Sequence, residues 1–94
     1  HGSTQGALSL MGDEYWRNAF RPLLPDVHHF YFNDAQVIDA IDENTSCVIM
    51  EMVQAEAGII APDQKWIEAI RKKCTEVCAL MIVDEIQSGF GRTG

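Results

Sequence analysis

Basic residues are scarce in this chain. Lysine and arginine number 7 against 14 aspartates and glutamates, a formal net charge of -7 over 94 residues. A surface of that sign repels phosphate backbones and anionic headgroups, so no nucleic acid and no acidic membrane surface is expected as a partner. Long apolar runs are missing as well. Nothing approaches the roughly 20 residues that a membrane-spanning helix needs. Cysteine is limited to Cys47, Cys74 and Cys78, an odd number set in apolar stretches. This argues against a disulfide framework and for reduced thiols in a cytoplasmic setting. Tight C-x₂-C pairs are absent. Cys74 and Cys78 stand at i, i+4, and His28-His29 are adjacent, yet the simpler reading is small apolar core residues and a strand-edge histidine pair, with no metal site. The sequence opens His1-Gly2-Ser3, without a methionine or a signal-peptide pattern, and reads as the interior of something larger.

What is present suits one α/β domain or part of one. Apolar residues make up 47% and charged residues 22%, which is too apolar for a disordered chain. A chain of this size buries roughly 60–65% of its unfolded surface, so marginal stability is expected. Residues 3–11 pattern as a helix that Ser3 can cap and Gly12 can end, with Ala7, Leu8, Leu10 and Met11 on one face. Residues 13–27, punctuated by Pro22 and Pro25, read as a connector anchored by Tyr15, Trp16 and Phe20. "HHFYF" at 28–32 reads as a strand. Asn33-Asp34 supplies an N-cap for the helical spacing of Val37, Ile38 and Ile41. The unalternating runs "CVIM" (47–50) and "ALMIV" (79–83) read as parallel strands covered on both faces. Between them Asp63 caps a helix whose apolar stripe is Trp66, Ile67, Ile70, Cys74 and Val77. Strand, helix, strand is a right-handed β-α-β crossover.

The chemistry is expected at the carboxyl ends of those strands, where open α/β sheets bind ligands. "CVIM" runs into Glu51, and "ALMIV" runs into Asp84-Glu85. If the strands are parallel, Glu51 and Asp84 emerge at the same edge. A carboxylate at a buried strand end needs a partner: a metal, a cationic side chain or a protonated ring nitrogen. Asp84 also suits a turn cap, and Glu85 suits solvent or a structural ion pair. Gln87 can reach back toward the same crevice or lie solvated. The connector "EMVQAEAGIIAP" (51–62) is long for a strand-to-helix link, and long loops there are often functional. It carries Glu51, Gln54 and Glu56 among apolar residues.

Gly89, Gly91 and Gly94 spell G-x-G-x-x-G, a pattern that can cradle a dinucleotide. The context argues against it. In a dinucleotide fold the first glycine follows the strand almost at once, whereas Asp84 to Ser88 intervene here, and an acid at the strand tip repels a pyrophosphate.

"VDEIQSGFGRTG", preceded by "IMEMVQAEAGIIAP" and headed by "HGSTQGALS", resembles the class-III pyridoxal-phosphate aminotransferases. That family includes the acetylornithine, ornithine and 4-aminobutyrate transaminases. The resemblance spans essentially the whole chain in order and spacing. It implies a piece of the large, cofactor-binding domain of fold-type-I enzymes, residues 1–94 supplying about three strands of a mostly parallel sheet with flanking helices. It implies pyridoxal 5'-phosphate as cofactor, an amino acid donor and a 2-oxo acid acceptor such as 2-oxoglutarate, and a homodimer with the active site at the subunit interface. Residue by residue, Asp84 matches the aspartate that pairs with the protonated pyridine nitrogen and keeps the ring an electron sink. Gln87 matches the glutamine near the phenolic oxygen, and Glu51 the glutamate beside it. Glu56 matches the loop glutamate that, in ω-amino acid members, pairs with an arginine and helps switch between substrates.

The family's Schiff-base lysine lies beyond the D-E-I-Q block, and Lys65, Lys72 and Lys73 ride a helix distant in sequence from it. The chain alone is therefore expected to be inactive. Ser3 stands where many members carry an arginine that holds a substrate carboxylate, which leaves the donor open. Met52 replaces a frequent proline and Ala55 a frequent glycine. Cys78 stands where a glycine often ends the helix, at a cost on the order of 1 kcal/mol if the backbone there is left-handed. A racemase or aminomutase of the same family shares these residues. A non-catalytic α/β interaction module is the reading from another class. An open sheet with unpaired edges further implies weak stability or self-association for the chain alone.

Overall fold

The computed structural model describes residues 2–94. Two parallel strands, β1 (Cys47–Glu51) and β2 (Leu80–Asp84), are joined by the 13-residue helix α4 (Gln64–Glu76). Three shorter helices precede them: α1 (Gln5–Leu10), α2 (Glu14–Arg17) and α3 (Gln36–Ala40). A 3₁₀ turn at Asn18–Phe20 follows α2 directly.

The crossover forms as its sequence dictates. Asp63 adopts an extended backbone, and its side chain accepts from the Trp66 N–H, satisfying one of the orphan donors of the first turn. The apolar stripe then faces inward. Ile70 and Cys74 are fully buried, and Trp66 and Val77 pack at the margin of the same cluster. Val37 of α3 and Ile41 just after it close the cluster, with Ala79 from the turn after α4 and Val48, Met50 and Met81 from the sheet. Two polar ties fix the start of α4 to the turn before α3. The Asp63 N–H donates to Asn33 Oδ1 at 2.8 Å, and Trp66 Nε1 donates to the Asp34 carbonyl at 2.7 Å.

The end of α4 is closed by backbone geometry alone. Cys78 sits in the left-handed region at φ 60°. The Cys78 N–H donates to the Thr75 carbonyl at 3.4 Å, and the Ala79 N–H to the Cys74 carbonyl at 2.9 Å. This pairing is a Schellman motif with a cysteine at the position that favours glycine.

Several expectations are corrected. Residues 28–32 form no strand among the described residues. A strand exists only through a ladder partner, and here Phe32 instead packs edge-on against Trp66, with ring centroids 5.2 Å apart. The sheet therefore contributes two strands rather than three. Among the described residues it is covered on one face only. Leu80 is 67% exposed and Ile82 41%, because α3 and α4 both lie on the side of Val48, Met50 and Met81. The 13–27 segment contains α2 and the 3₁₀ turn, and its aromatics are not anchors: Tyr15, Trp16 and Phe20 all stand in solvent. At α1, Thr4 rather than Ser3 occupies the N-cap, and the helix ends at Met11 in extended backbone instead of at Gly12. The segment is held by Ser9, which is fully buried. Its Oγ donates to the Gln5 carbonyl at 2.8 Å and accepts from the Leu24 N–H at 3.0 Å.

Candidate functional site

The parallel register pairs Cys47 with Leu80 and runs to Glu51 opposite Asp84. Adjacent strands lie about 4.8 Å apart, so the two acids leave the sheet side by side at its carboxyl end. Alternation along the strands places Glu51 with Ile49 and Asp84 with Ile82, on the face that α4 does not cover. Both acids are half-buried. Burial pushes the Glu51 carboxyl above its ordinary range, and the nearby negative charges of Asp84 and Glu56 push it further the same way. Asp84 Oδ1 accepts from the Ile86 N–H at 2.9 Å, which folds the chain into a turn directly after the strand.

Two loops rise from these strand ends. In the first, Gln54 and Ile60 exchange backbone hydrogen bonds of 2.9 and 3.0 Å, making a short antiparallel bridge. The Ala55 carbonyl accepts from both the Gly58 and Ile59 N–H groups at 3.1 Å. The turn forces Ile59 into the left-handed region at φ 59°. For a β-branched residue that conformation costs of order 1–3 kcal/mol and needs support from its surroundings. Glu56 stands exposed on this loop. In the second loop the Gly89 N–H donates to the Glu85 carbonyl at 2.8 Å, and a β-carbon at Gly89 would lie 2.6 Å from that same oxygen. Only glycine fits there. The loops meet where Gln87 Nε2 donates to Glu56 Oε1 at 2.9 Å.

The structure thus brings Glu51, Asp84, Glu56 and Gln87 to one end of the sheet. Lys65, Lys72 and Lys73 belong to α4, which packs on the opposite face. Ser3 lies exposed just before α1. Cys78 is outside the helix, so it shares no helix face with Cys74, whose thiol is pushed up by burial. Among the described residues, no group of three or more histidine, cysteine or acidic side chains could hold a metal ion. The sequence pointed to all four loop and strand-end residues but not to the Glu56–Gln87 bond, whose partners lie 31 positions apart. Nor did it show the left-handed Ile59, for which the preceding Gly58 was the available signal.

Two half-buried acids side by side suit a cationic partner, and the loops beside them supply an amide and a further carboxylate. Known proteins carry a similar segment. The family pattern described as aminotransferase class-III matches residues 1–94. An acetylornithine aminotransferase of Methanopyrus kandleri is 44% identical over 95 residues, covering 100% of this chain and 24% of that protein. A [LysW]-aminoadipate semialdehyde/glutamate semialdehyde transaminase of Sulfurisphaera tokodaii is 40% identical over 94 residues, with the same coverage. The chain therefore spans about a quarter of the length of these relatives. Among solved structures, an ornithine aminotransferase of Toxoplasma gondii, with partial occupancy of PLP at its active site, superposes with a TM-score of 0.83 at 29% identity. The match covers 96% of this chain and 22% of that one. By this match over its full length, the chain belongs to the class-III aminotransferase family.

Proposed function

We propose that residues 1–94 are a segment of the cofactor-binding large domain of an aminotransferase. That enzyme moves an amino group from an ornithine-like or ω-amino donor to a 2-oxo acid, with 2-oxoglutarate as acceptor. The observation that carries the reading is the register pair Glu51–Asp84 at the carboxyl end of the sheet, with Gln87 and Glu56 joined beside it. Its donor set fits pyridoxal 5'-phosphate. Asp84 would hold the protonated ring nitrogen, Gln87 and Glu51 would flank the ring, and Glu56 would face the substrate. When bound, the cofactor supplies an electron sink for the carbanion formed at the donor carbon.

This chain's own contribution is binding and orientation. Asp84 is held by its place on β2 and by the turn whose Ile86 N–H it accepts. Glu51 adds a second acid that favours a cation at the strand ends. The lysines on α4 lie on the other face, so the lysine that bonds the cofactor is assigned to sequence outside these 94 residues. Alone, this chain is expected not to transaminate. We assign the whole enzyme to the cytoplasm and to a homodimer, in keeping with the odd number of cysteines in this segment and with the family resemblance.

The test uses the full-length protein carrying this segment. Pyridoxal phosphate is added and bound cofactor is fixed with borohydride. Turnover of N-acetylornithine, ornithine and 4-aminobutyrate is then measured with 2-oxoglutarate. The reading expects a covalently fixed chromophore, one favoured donor, and loss of both cofactor affinity and turnover in Asp84→Ala. Failure to retain the cofactor, or an Asp84→Ala variant that works as well as the parent, refutes it.

A further inference from the structure

We propose that Gln87 is a positioning residue for Glu56: its side-chain amide sets the substrate-side carboxylate from the cofactor-side strand. This rests on the reading of Glu56 as a substrate-side group. The observation behind it is the 2.9 Å hydrogen bond from Gln87 Nε2 to Glu56 Oε1, which joins the loop after β1 to the loop after β2.

Both side chains are exposed, and the bond limits the freedom of each. Glu56 sits on an exposed loop, and an exposed glutamate samples many rotamers. Its backbone is framed by the Gln54–Ile60 bridge, but that frame does not choose a direction for the carboxylate. Gln87, equally exposed, stands in the hydrogen-bonded turn after β2. Asp84 Oδ1 fixes the turn from below by accepting the Ile86 N–H, and the Gly89 N–H closes it onto the Glu85 carbonyl. Gly89 has no room for a β-carbon, so the turn has little freedom to relax. The bond therefore gives the Glu56 carboxylate a direction that its own loop does not. An amide also suits the task chemically, since its N–H donates to a carboxylate without adding charge beside an already acidic strand end. The link runs from Asp84 through the turn to Gln87, and from there to Glu56. A group whose place in the site is set by β2 thus sets the direction of a group on the other loop.

The test uses the full-length protein and three variants: Gln87→Glu, Glu56→Gln and the double exchange. Amide hydrogen exchange over residues 52–60 is read in the cofactor-free protein. The ratio of kcat/KM for ornithine over N-acetylornithine is read in the loaded enzyme. Gln87→Glu sets two acids facing each other. It is expected to speed exchange in the loop about three- to tenfold, the range of one exposed hydrogen bond. It should also move the donor ratio by a similar factor in the direction that Glu56→Gln moves it. The double exchange restores loop protection, because an amide at position 56 then donates to a carboxylate at position 87. Rescue of this kind separates positioning from general damage. Unchanged loop exchange in Gln87→Glu, or a double variant no better protected than Gln87→Glu alone, overturns the proposal. A donor ratio indifferent to Glu56→Gln, with the loop responding as expected, overturns the substrate-side reading of Glu56 and supports the tie.

Discussion

Replacing Cys78 with glycine should stabilise this fold. The residue is at the C′ position of α4, with φ at 60°, and two hydrogen bonds of the helix terminus depend on that conformation. A left-handed backbone costs a residue with a β-carbon roughly 1–2 kcal/mol. Glycine removes that cost but loses about 0.5–1 kcal/mol through its greater freedom in the unfolded chain. The thiol is exposed, so little packing is lost with it. The net gain is about 0.5–1 kcal/mol, which raises the melting temperature of a domain of this size by about 2–8 °C. Urea unfolding and thermal melts of the parent, Cys78→Gly and Cys78→Ala measure it. The alanine variant is the decisive control. It also removes the thiol, so any effect of oxidation cancels, yet it keeps the β-carbon and the strain. Stability in Cys78→Ala should stay near the parent's, and the gain should appear in Cys78→Gly alone. A glycine variant no more stable than the alanine variant would refute the reasoning, and with it the assignment of backbone strain to this helix end.

Two further perturbations probe the core and the acid pair. Ile70 is fully buried in the cluster between α3, α4 and the sheet, so Ile70→Ala should cost about 2–5 kcal/mol. That is a large share of the 5–15 kcal/mol of a typical domain, and cooperative melting should weaken sharply or vanish in a calorimetric scan. For Glu51, the folded state holds the carboxyl proton more tightly than the ordinary 4.5 of a free glutamate. The linked stability is therefore full below that value and is lost as pH rises through the raised one. Glu51→Gln removes this loss. Parent and variant should have matching urea midpoints in acid, with the variant pulling ahead toward neutral pH, and a gap that is constant across the series contradicts the account.

The crossover was legible because its signals are local. Asp63 stands three residues before the amide it caps, and the stripe from Trp66 to Val77 repeats at the helical period, so neither depends on the rest of the chain. The pairing of Glu51 with Asp84 followed from two apolar runs that each end on an acid, once the strands were taken as parallel. Residues 28–32 misled for the opposite reason. Their aromatic composition suits a strand, but a strand is a relation between two segments, and Phe32 is drawn instead to Trp66. Tyr15, Trp16 and Phe20 misled similarly, since size and apolarity say nothing of whether a surface exists to receive them. The Glu56–Gln87 bond joins residues 31 positions apart, and no local pattern carries it.

The faces of the sheet explain why an unalternating run can still hide a division of labour. Val48, Met50 and Met81 point to α3 and α4 and hold the core. Ile49, Ile82 and Leu80 are equally apolar but point the other way and stay substantially exposed. Composition cannot separate the two sets, whereas parity can. Glu51 and Asp84 share parity with the uncovered set, so the acids stand on the side free of the helices that stabilise the strands. An acid in place of Met50, one position earlier on β1, would point into the α4 side and meet the apolar cluster, where a charge without a partner is expensive. Among the described residues the core lies on the other face, and the two carboxylates at the strand ends stay clear of it.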